Sequence, residues 1–320
     1  MTKDTGELER GRTASIPQDI PLPGWFDILV RTKDQISSDN LSLVAAGVAF
    51  YALLAIFPTL AASVSLYGLL ANAADIERQF EDLAVLMPPE TRPILLDQIK
   101  ALAASSEKTL GATVIGGLLL ALMSAMKGMK AIITALNIAY NEEEKRGFLR
   151  LNLISFMLTL ASVLFMVLML GLVIAVPAVL NFLNLSDDLE IIVSMSRWSL
   201  LLVVVVTAMA SLYHFAPSRS EARWQWVSWG AIVATALWSL VSIGFSIYVE
   251  NFGTYNKVYG SLGALVALLM WFYISAYALM LGAELNSEME HQTKVDTTVG
   301  EPKPMGERDA YVADTVGERR

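Results

Sequence analysis

The chain has 320 residues, of which 55% are hydrophobic and only 17% are charged. A soluble domain usually carries about 25% charged residues, so the composition excludes an ordinary soluble protein. The lack of cysteine excludes disulfides and thiolate metal sites, and the net charge of −8 argues against a nucleic-acid-binding surface. With only two histidines, we expect no metal and no cofactor.

The N-terminal part of the sequence contains a polar tail and then an amphipathic segment. Residues 1–23 are polar and predict a disordered tail. Residues 24–40, "GWFDILVRTKDQISSDN", place aromatic and aliphatic residues on one helical face and charged residues on the other. This pattern predicts an interfacial helix on the membrane surface, with a helix packed on a soluble core as the alternative.

Six long apolar runs follow between residues 41 and 285, and each is near or above the roughly 20 residues that span a bilayer. They cover residues 41–70, 110–140, 151–183, 191–215, 226–249 and 262–285. The predicted fold is therefore all-α, a polytopic integral membrane protein with six transmembrane helices. Pro58 and Pro177 interrupt the first and third runs and predict helix kinks there.

The segments outside these runs predict the topology. Residues 75–108 carry helically spaced apolar residues on both sides of "PPETRP", which predicts an amphipathic helical hairpin between spans 1 and 2. Residues 286–320 are polar and predict a second disordered tail. Most Lys and Arg residues fall on the side that holds both chain ends, so both termini are predicted to be cytoplasmic and 75–108 extracytoplasmic.

Four sequence blocks resemble the YihY/BrkB family of bacterial inner-membrane proteins. They are "AAGVAFYALLAIFP", "ALNIAYNEEEKRGFLRLNL", "LYHFAP" and "SIYVENFGTYNKVYGSLGALVALLMWFYISAYALMLGAELN". His214 of the third block stands where the family more often has arginine. The resemblance implies six helices in the bacterial inner membrane with both ends cytoplasmic. Family labels include ribonuclease BN and a role in serum resistance and virulence, and lipid or solute transport has been suggested.

Two lysines lie in the second apolar run. A helix that enters at Thr109 rises about 27 Å by Met126, which places Lys127 and Lys130 near the cytoplasmic boundary. One interpretation is that both side chains extend to the interface between lipid and water. The other is that they face the bundle interior and line a cavity for an anionic group.

Glu284, in "LGAELN", lies at the cytoplasmic end of the sixth span and is the predicted partner of these lysines. A solvated carboxylate at a helix end is the alternative. Asn137 and Glu284 also fall inside the blocks that resemble the family, which adds both to the candidate cavity residues. Small residues predict close helix packing at Ser124, Gly128, Gly260 and Gly263.

The leading functional hypothesis is a transporter-like protein for a lipid or another amphiphilic or anionic solute. The rival hypothesis is a non-transporting scaffold in envelope assembly or stress resistance, which binds partners through residues 75–108. A membrane-bound ribonuclease is disfavoured, because the spans carry almost no Asp or Glu for metal binding. Membrane lipids are the predicted partners, envelope-assembly proteins and a homo-oligomer stay open, and nucleic acid is not expected.

Overall fold

A computed structural model describes residues 10–70, 107–170, 172–173, 187–251 and 261–319. These ranges form helices joined by short loops, with a single isolated bridge between Ala222 and Thr298. The helices are α1 (Leu22–Ser38), α2 (Leu41–Leu70), α3 (Glu107–Ala139), α4 (Phe148–Leu170), α5 (Asp187–Phe215), α6 (Trp224–Asn251), α7 (Ser261–Glu290) and a single turn, α8 (Tyr311–Asp314). The predicted all-α class is confirmed.

Five of these helices, α3 to α7, are long and apolar enough to cross a membrane. The count rises to six if α1 and the first half of α2, which meet at 62°, form one broken span. The side chains of α4 show why a bilayer is needed: Leu160, Leu164 and Val167 are 53%, 69% and 61% exposed. A continuous apolar face of this kind is stable in lipid and not in water. The predicted polytopic membrane architecture is confirmed.

The chain divides into two compact units. Unit 1 consists of Met1–Val48, Met129–Tyr248 and Tyr273–Arg320, and unit 2 consists of Ala49–Gly128 and Val249–Phe272. Within unit 2, a Cβ atom on Gly128 would meet the backbone of Tyr51 at 3.8 Å, an ordinary contact.

The core of unit 1 is built from small and aromatic side chains of several helices. One cluster joins Tyr140, directly after α3, to Tyr213 of α5, Ala231 of α6 and Ala283 of α7. A second cluster joins Leu41 of α2 to Ala135, near the end of α3, and to Met280 of α7. Helix α7 therefore lies at the centre of unit 1, with other helices on two sides.

Helices α6 and α7 cross at two glycines that the sequence interpretation did not select. A Cβ atom on Gly230 would lie 2.1 Å from the carbonyl oxygen of Gly282, so no larger residue fits without a shift. The Gly230 N–H donates to Oδ1 of Asn286 at 2.7 Å, and Asn286 Nδ2 donates to the Val227 carbonyl at 3.1 Å. Asn286 thus fastens the end of α7 to the start of α6.

Helix α1 buries one face within unit 1 and leaves the other exposed, and its place at the membrane surface stays a prediction. Ile28 and Arg31 are buried, whereas Leu22, Phe26 and Leu29 are exposed. The bend between α1 and α2 occurs at Asn40, whose φ of 51° is left-handed, a conformation that Asn tolerates better than most residues.

Both chain ends fold over one end of unit 1, and we name residues 10–20 and 291–319 the terminal cap. Arg12 is buried and donates to the carbonyl oxygens of Gln292 at 3.2 Å and Gly317 at 2.6 Å. The Thr293 hydroxyl donates to the Ala14 carbonyl at 2.7 Å. The two ends of the chain therefore hold each other.

Residues 10–20 and 286–319 are ordered where the sequence predicted disordered tails, and residues 1–9 lie outside the described residues. Helix α7 continues to Glu290, and the described residues after it include buried Thr297, Arg308 and Val312. Polar composition normally indicates disorder because too little apolar surface can be buried. Here buried arginines and backbone groups satisfy the polar side chains, so the segment orders without a large apolar core.

Three sequence expectations fall on residues that are not described. The amphipathic hairpin predicted for 75–108 lies outside the described residues except for its last two positions, which begin α3. Pro177 and Gly260 also lie outside. Pro58 lies inside α2, which is helical from Leu41 to Leu70.

Candidate functional site

The two lysines of the second apolar run have different surroundings. Lys127 is exposed. Lys130 is half-buried, and its Nζ donates to Oδ1 of Asn152 at 2.7 Å. Asn152 in turn donates to the Phe148 carbonyl at 2.7 Å. The described contact of Lys130 is thus to the first turns of α4, and the predicted pair with Glu284 does not form.

Asn137 is buried and both ends of its amide are bonded within unit 1. Its Nδ2 donates to Glu144 at 3.1 Å, and its Oδ1 accepts from the Ser218 N–H at 2.7 Å. The amide joins the loop after α3 to the loop after α5. In this arrangement Asn137 fixes two loops, and its predicted role as a cavity residue stays a prediction.

The charged loop "NEEEKR" is ordered by ion pairs. Asn141, with a left-handed φ of 54°, ends α3, and Arg146 Nε then donates to Glu144 at 2.7 Å. Partial burial raises the pKa of Glu144, but hydrogen bonds from Arg146 outweigh that effect and lower the pKa to about 2. Lys145 bonds Asp309 of the terminal cap at 2.9 Å, so the loop also anchors the cap.

Three carboxyl groups lie on the last turns of α7, and two of them have an arginine partner. Arg31 donates to Glu288 at 2.5 Å, and both groups are buried. Arg219 binds Glu290 through two hydrogen bonds of 3.1 and 2.7 Å, also buried. Pairing with planar guanidinium groups offsets the cost of burying these carboxylates.

Glu284 is the exception among the three. It is fully buried, and neither carboxyl oxygen has a hydrogen-bond partner of normal geometry among the described residues. The side chain of Asp39, at the corner between α1 and α2, lies against it. Oδ2 of Asp39 is buried and likewise has no partner of normal geometry among them. Two carboxyl groups therefore face each other where the sequence predicted a lysine.

A cavity of about 360 Å³ opens beside this pair, between α2, α6 and α7. Its walls are mostly apolar side chains, and its polar groups are hydroxyls. The lining residues are Ser42, Leu237, Val241, Tyr273, Ile274, Tyr277, Ala278 and Leu281. The hydroxyls of Ser42 and Tyr273 lie 2.7 Å apart and are hydrogen-bonded. The volume is at the lower end of the range for pockets that bind small molecules.

The cavity and the carboxyl pair use the same two helices. Ser42 follows Asp39 by three residues at the start of α2, and Leu281 precedes Glu284 by three residues on α7. Ser42 and Leu281 are therefore each about one helical turn from a carboxyl group.

The small residues selected from the sequence include none at the tightest crossing. Ser124, Gly128 and Gly263 are partly buried, whereas the closest described approach, in unit 1, is at Gly230 and Gly282. Sequence reasoning also missed Asp39 and Asn286. The sequence feature that could have indicated Asn286 is a polar side chain directly after an apolar span, but this position was interpreted as the start of a disordered tail.

The described residues contain no group of three or more His, Asp or Glu side chains placed to hold a metal ion. No solved structure matches the chain.

Comparison with known sequences gives relatives along most of the chain. One is "Putative ribonuclease-like protein YfkH" of Bacillus subtilis, 31% identical over 256 residues, which are 78% of this chain and 90% of the relative. Another is "UPF0761 membrane protein PBPRA3489" of Photobacterium profundum, 27% identical over 278 residues, which are 84% of this chain and 82% of the relative.

The sequence profile described as "Virulence factor BrkB" matches residues 32–306. This range includes the carboxyl pair, the cavity and residues 291–306 of the terminal cap. The resemblance seen in the four sequence blocks is thereby confirmed, and the chain belongs to the Virulence factor BrkB family of membrane proteins.

Proposed function

We propose that this protein binds a lipid or another amphiphile in the cavity between α2, α6 and α7 and moves it within the membrane. The observation that carries this proposal is the cavity itself, whose walls are apolar and whose polar groups are a serine and two tyrosines. Apolar walls suit an acyl chain, and hydroxyls can bond a neutral or polar headgroup without binding a fixed charge.

The charges near the cavity narrow the class of amphiphile. Asp39 and Glu284 lie one turn away, and Lys130 bonds Asn152 of α4 instead. Carboxyl groups repel an anionic headgroup and accept hydrogen bonds or a positive charge. We therefore propose a neutral, zwitterionic or amine-bearing headgroup over the anionic solute that the sequence suggested.

We further propose that the terminal cap faces the cytoplasm of a bacterial inner membrane. The distribution of Lys and Arg supports this orientation. A reporter fused after Glu90 is then expected on the outer side, and a cytoplasmic reporter there would reverse the orientation.

Photo-crosslinking tests binding directly. The purified protein is reconstituted in vesicles of phosphatidylethanolamine with a small fraction of a phospholipid that carries a photoreactive acyl chain. We expect crosslinks on α7 peptides that contain Tyr273 to Leu281. Val241→Trp fills the cavity and should reduce these crosslinks, whereas Ile243→Trp, on an exposed part of the same helix, should not.

Movement is measured in the same vesicles with a fluorescent phospholipid whose outer-leaflet label is quenched chemically. Movement that Val241→Trp slows and Ile243→Trp preserves would support transport. Crosslinks without movement would favour the scaffold alternative, and crosslinks spread evenly over all helices would remove the cavity from any lipid function.

The ribonuclease-like name belongs to the Bacillus relative. Nothing in the described residues of this chain gives positive support for enzymatic activity.

A further inference from the structure

Glu284 lies where a permanent negative charge would be costly. It is fully buried, and no described donor bonds either oxygen. An unpaired carboxylate away from water is strongly unfavourable, so such a group pairs with a cation or binds a proton. Glu288 and Glu290, four and six residues further along α7, have cationic partners. Glu284 has none among the described residues.

The ionisable groups around Glu284 come from several elements. Asp39, from the corner between α1 and α2, faces it, and Glu288 lies one turn further on its own helix. Tyr140, directly after α3, is a further ionisable group among the described residues that acts on it.

The basic side chains at this level already lie against other carboxylates. Arg31 bonds Glu288, and His291 lies 3.8 Å from the same carboxylate. Arg219 bonds Glu290 and lies over the ring of Tyr140 at 5.0 Å. The group that faces Glu284 most directly is therefore another carboxyl.

We propose that Glu284 and Asp39 form a proton-binding site that controls the adjoining cavity. One proton from solution adds to one carboxylate oxygen, which converts –COO⁻ to –COOH and lowers the charge of the pair from −2 to −1. The acid then donates an O–H···O hydrogen bond to the other carboxylate. Two carboxyl groups in contact cannot both ionise without strong repulsion, so the pair takes up a proton readily.

The position of the pair links proton binding to the cavity. Asp39 begins the bend that leads into α2, and Glu284 lies on α7, so the shared proton holds these two elements together. Loss of the proton leaves two negative charges that push the start of α2 away from α7. The hydrogen bond between Ser42 and Tyr273, one turn further on, is the contact that this movement would break.

This inference rests on the proposed function, since it makes the proton the ion that drives opening and closing of the amphiphile cavity. The proton site itself can be measured without any lipid. Infrared spectroscopy of the full-length protein in detergent detects the C=O stretch of a protonated carboxylic acid, which a carboxylate lacks. We expect a band that persists at neutral pH, shifts in deuterated water and disappears at high pH.

Substitutions identify the carboxyl group that gives rise to this infrared band. Glu284→Gln should remove it, and Asp39→Asn should move it to a different frequency and a different pH range. Glu143→Gln replaces an exposed carboxyl in the loop after α3 and should leave it unchanged. If Glu284→Gln does not fold, Asp39→Asn together with the pH titration of the wild-type band still decides the assignment.

Coupling is tested by photo-crosslinking of the cavity as a function of pH. We expect the extent of crosslinking at fixed lipid to change at least about fivefold across the pH range in which the band disappears. Glu284→Gln should abolish this dependence while it keeps the crosslinks. A pH-independent wild type with a normal band would overturn the coupling.

Absence of a persistent band at neutral pH would overturn the proton site, even if lipid crosslinks in the cavity leave the proposed function standing. A band without any cavity crosslinks would retain the proton site and refute the lipid function. A sodium ion is the alternative ligand of the carboxyl pair, and replacement of sodium by choline in all buffers tests it. A band or crosslinking yield that depended on sodium would refute the proton as the ligand.

Discussion

Replacement of Gly230 by alanine tests how closely α6 and α7 approach. The added Cβ would lie 2.1 Å from the Gly282 carbonyl oxygen and 2.4 Å from Oδ1 of Asn286. Both oxygen atoms are fixed. The Gly282 oxygen belongs to the backbone, and the amide of Asn286 is held by its hydrogen bonds with Gly230 and Val227. The helices must therefore separate, or Asn286 must leave its place.

Overpacking and displacement of Asn286 both lower the free energy of unfolding of Gly230→Ala. Overpacking of a close contact costs about 1–3 kcal/mol. Displacement of Asn286 loses hydrogen bonds worth roughly 1 kcal/mol each and leaves buried polar groups unsatisfied. We expect Gly230→Ala to lower the free energy of unfolding by about 2–5 kcal/mol, measured as a lower melting temperature of the purified protein in detergent.

Gly244→Ala is the matched control, because it lies on the same helix and a Cβ there meets nothing within 4 Å. Alanine favours helix over glycine by about 1 kcal/mol, so this variant should melt at or above the wild-type temperature. Equal melting temperatures for Gly230→Ala and Gly244→Ala would show that the two helices do not cross at Gly230.

Two further predictions concern the end of α7 and the terminal cap. Glu290→Ala leaves the Arg219 guanidinium buried without its partner, and we expect a loss of about 3–5 kcal/mol in thermal unfolding, against no loss for the exposed control Glu301→Ala. Burial raises the pKa of Asp296, but hydrogen bonds from the N–H groups of Lys303 and Thr298 outweigh it and lower the pKa. The stability from Asp296 is therefore complete above its unfolded pKa of about 3.9 and lost as the pH falls through the folded value. Wild type should lose more stability than Asp296→Asn between pH 5 and pH 3, and equal losses would refute this assignment.

The helices could be predicted from the sequence because length and apolar content decide them. A span needs about 20 apolar residues, and runs such as 226–249 supply them without reference to any other part of the chain. The end of α3 was also readable, since Asn141 follows an apolar run and Asn is a common residue at a left-handed helix end.

The terminal cap could not be predicted in the same way, because its order depends on residues far apart in sequence. Arg12 bonds the backbone of Gln292 and Gly317, some 280 and 305 positions away. Taken alone, each segment has the composition of a disordered tail. Only the folded arrangement shows that each one satisfies the polar groups of the other.

The candidate site shows the same limit at the level of single residues. Helix length placed Lys130 and Glu284 near one membrane boundary, and opposite charges at one level suggest a pair. Depth does not determine direction around the helix axis, however, and the described contact of Lys130 is to Asn152 of α4. Asp39, read as the polar end of an interfacial helix, lies against Glu284 instead.

The three carboxyl groups at the end of α7 argue that the isolation of Glu284 is related to function. Glu288 and Glu290 are held by Arg31 and Arg219, and both arginines also bond the backbone near the cap. These two ion pairs give Glu288 and Glu290 a structural role. A third buried carboxyl that has neither an arginine nor another donor among the described residues adds cost without such a contact, and an apolar side chain of similar size would avoid it. A group that binds and releases a proton beside a cavity explains why a carboxyl is there at all.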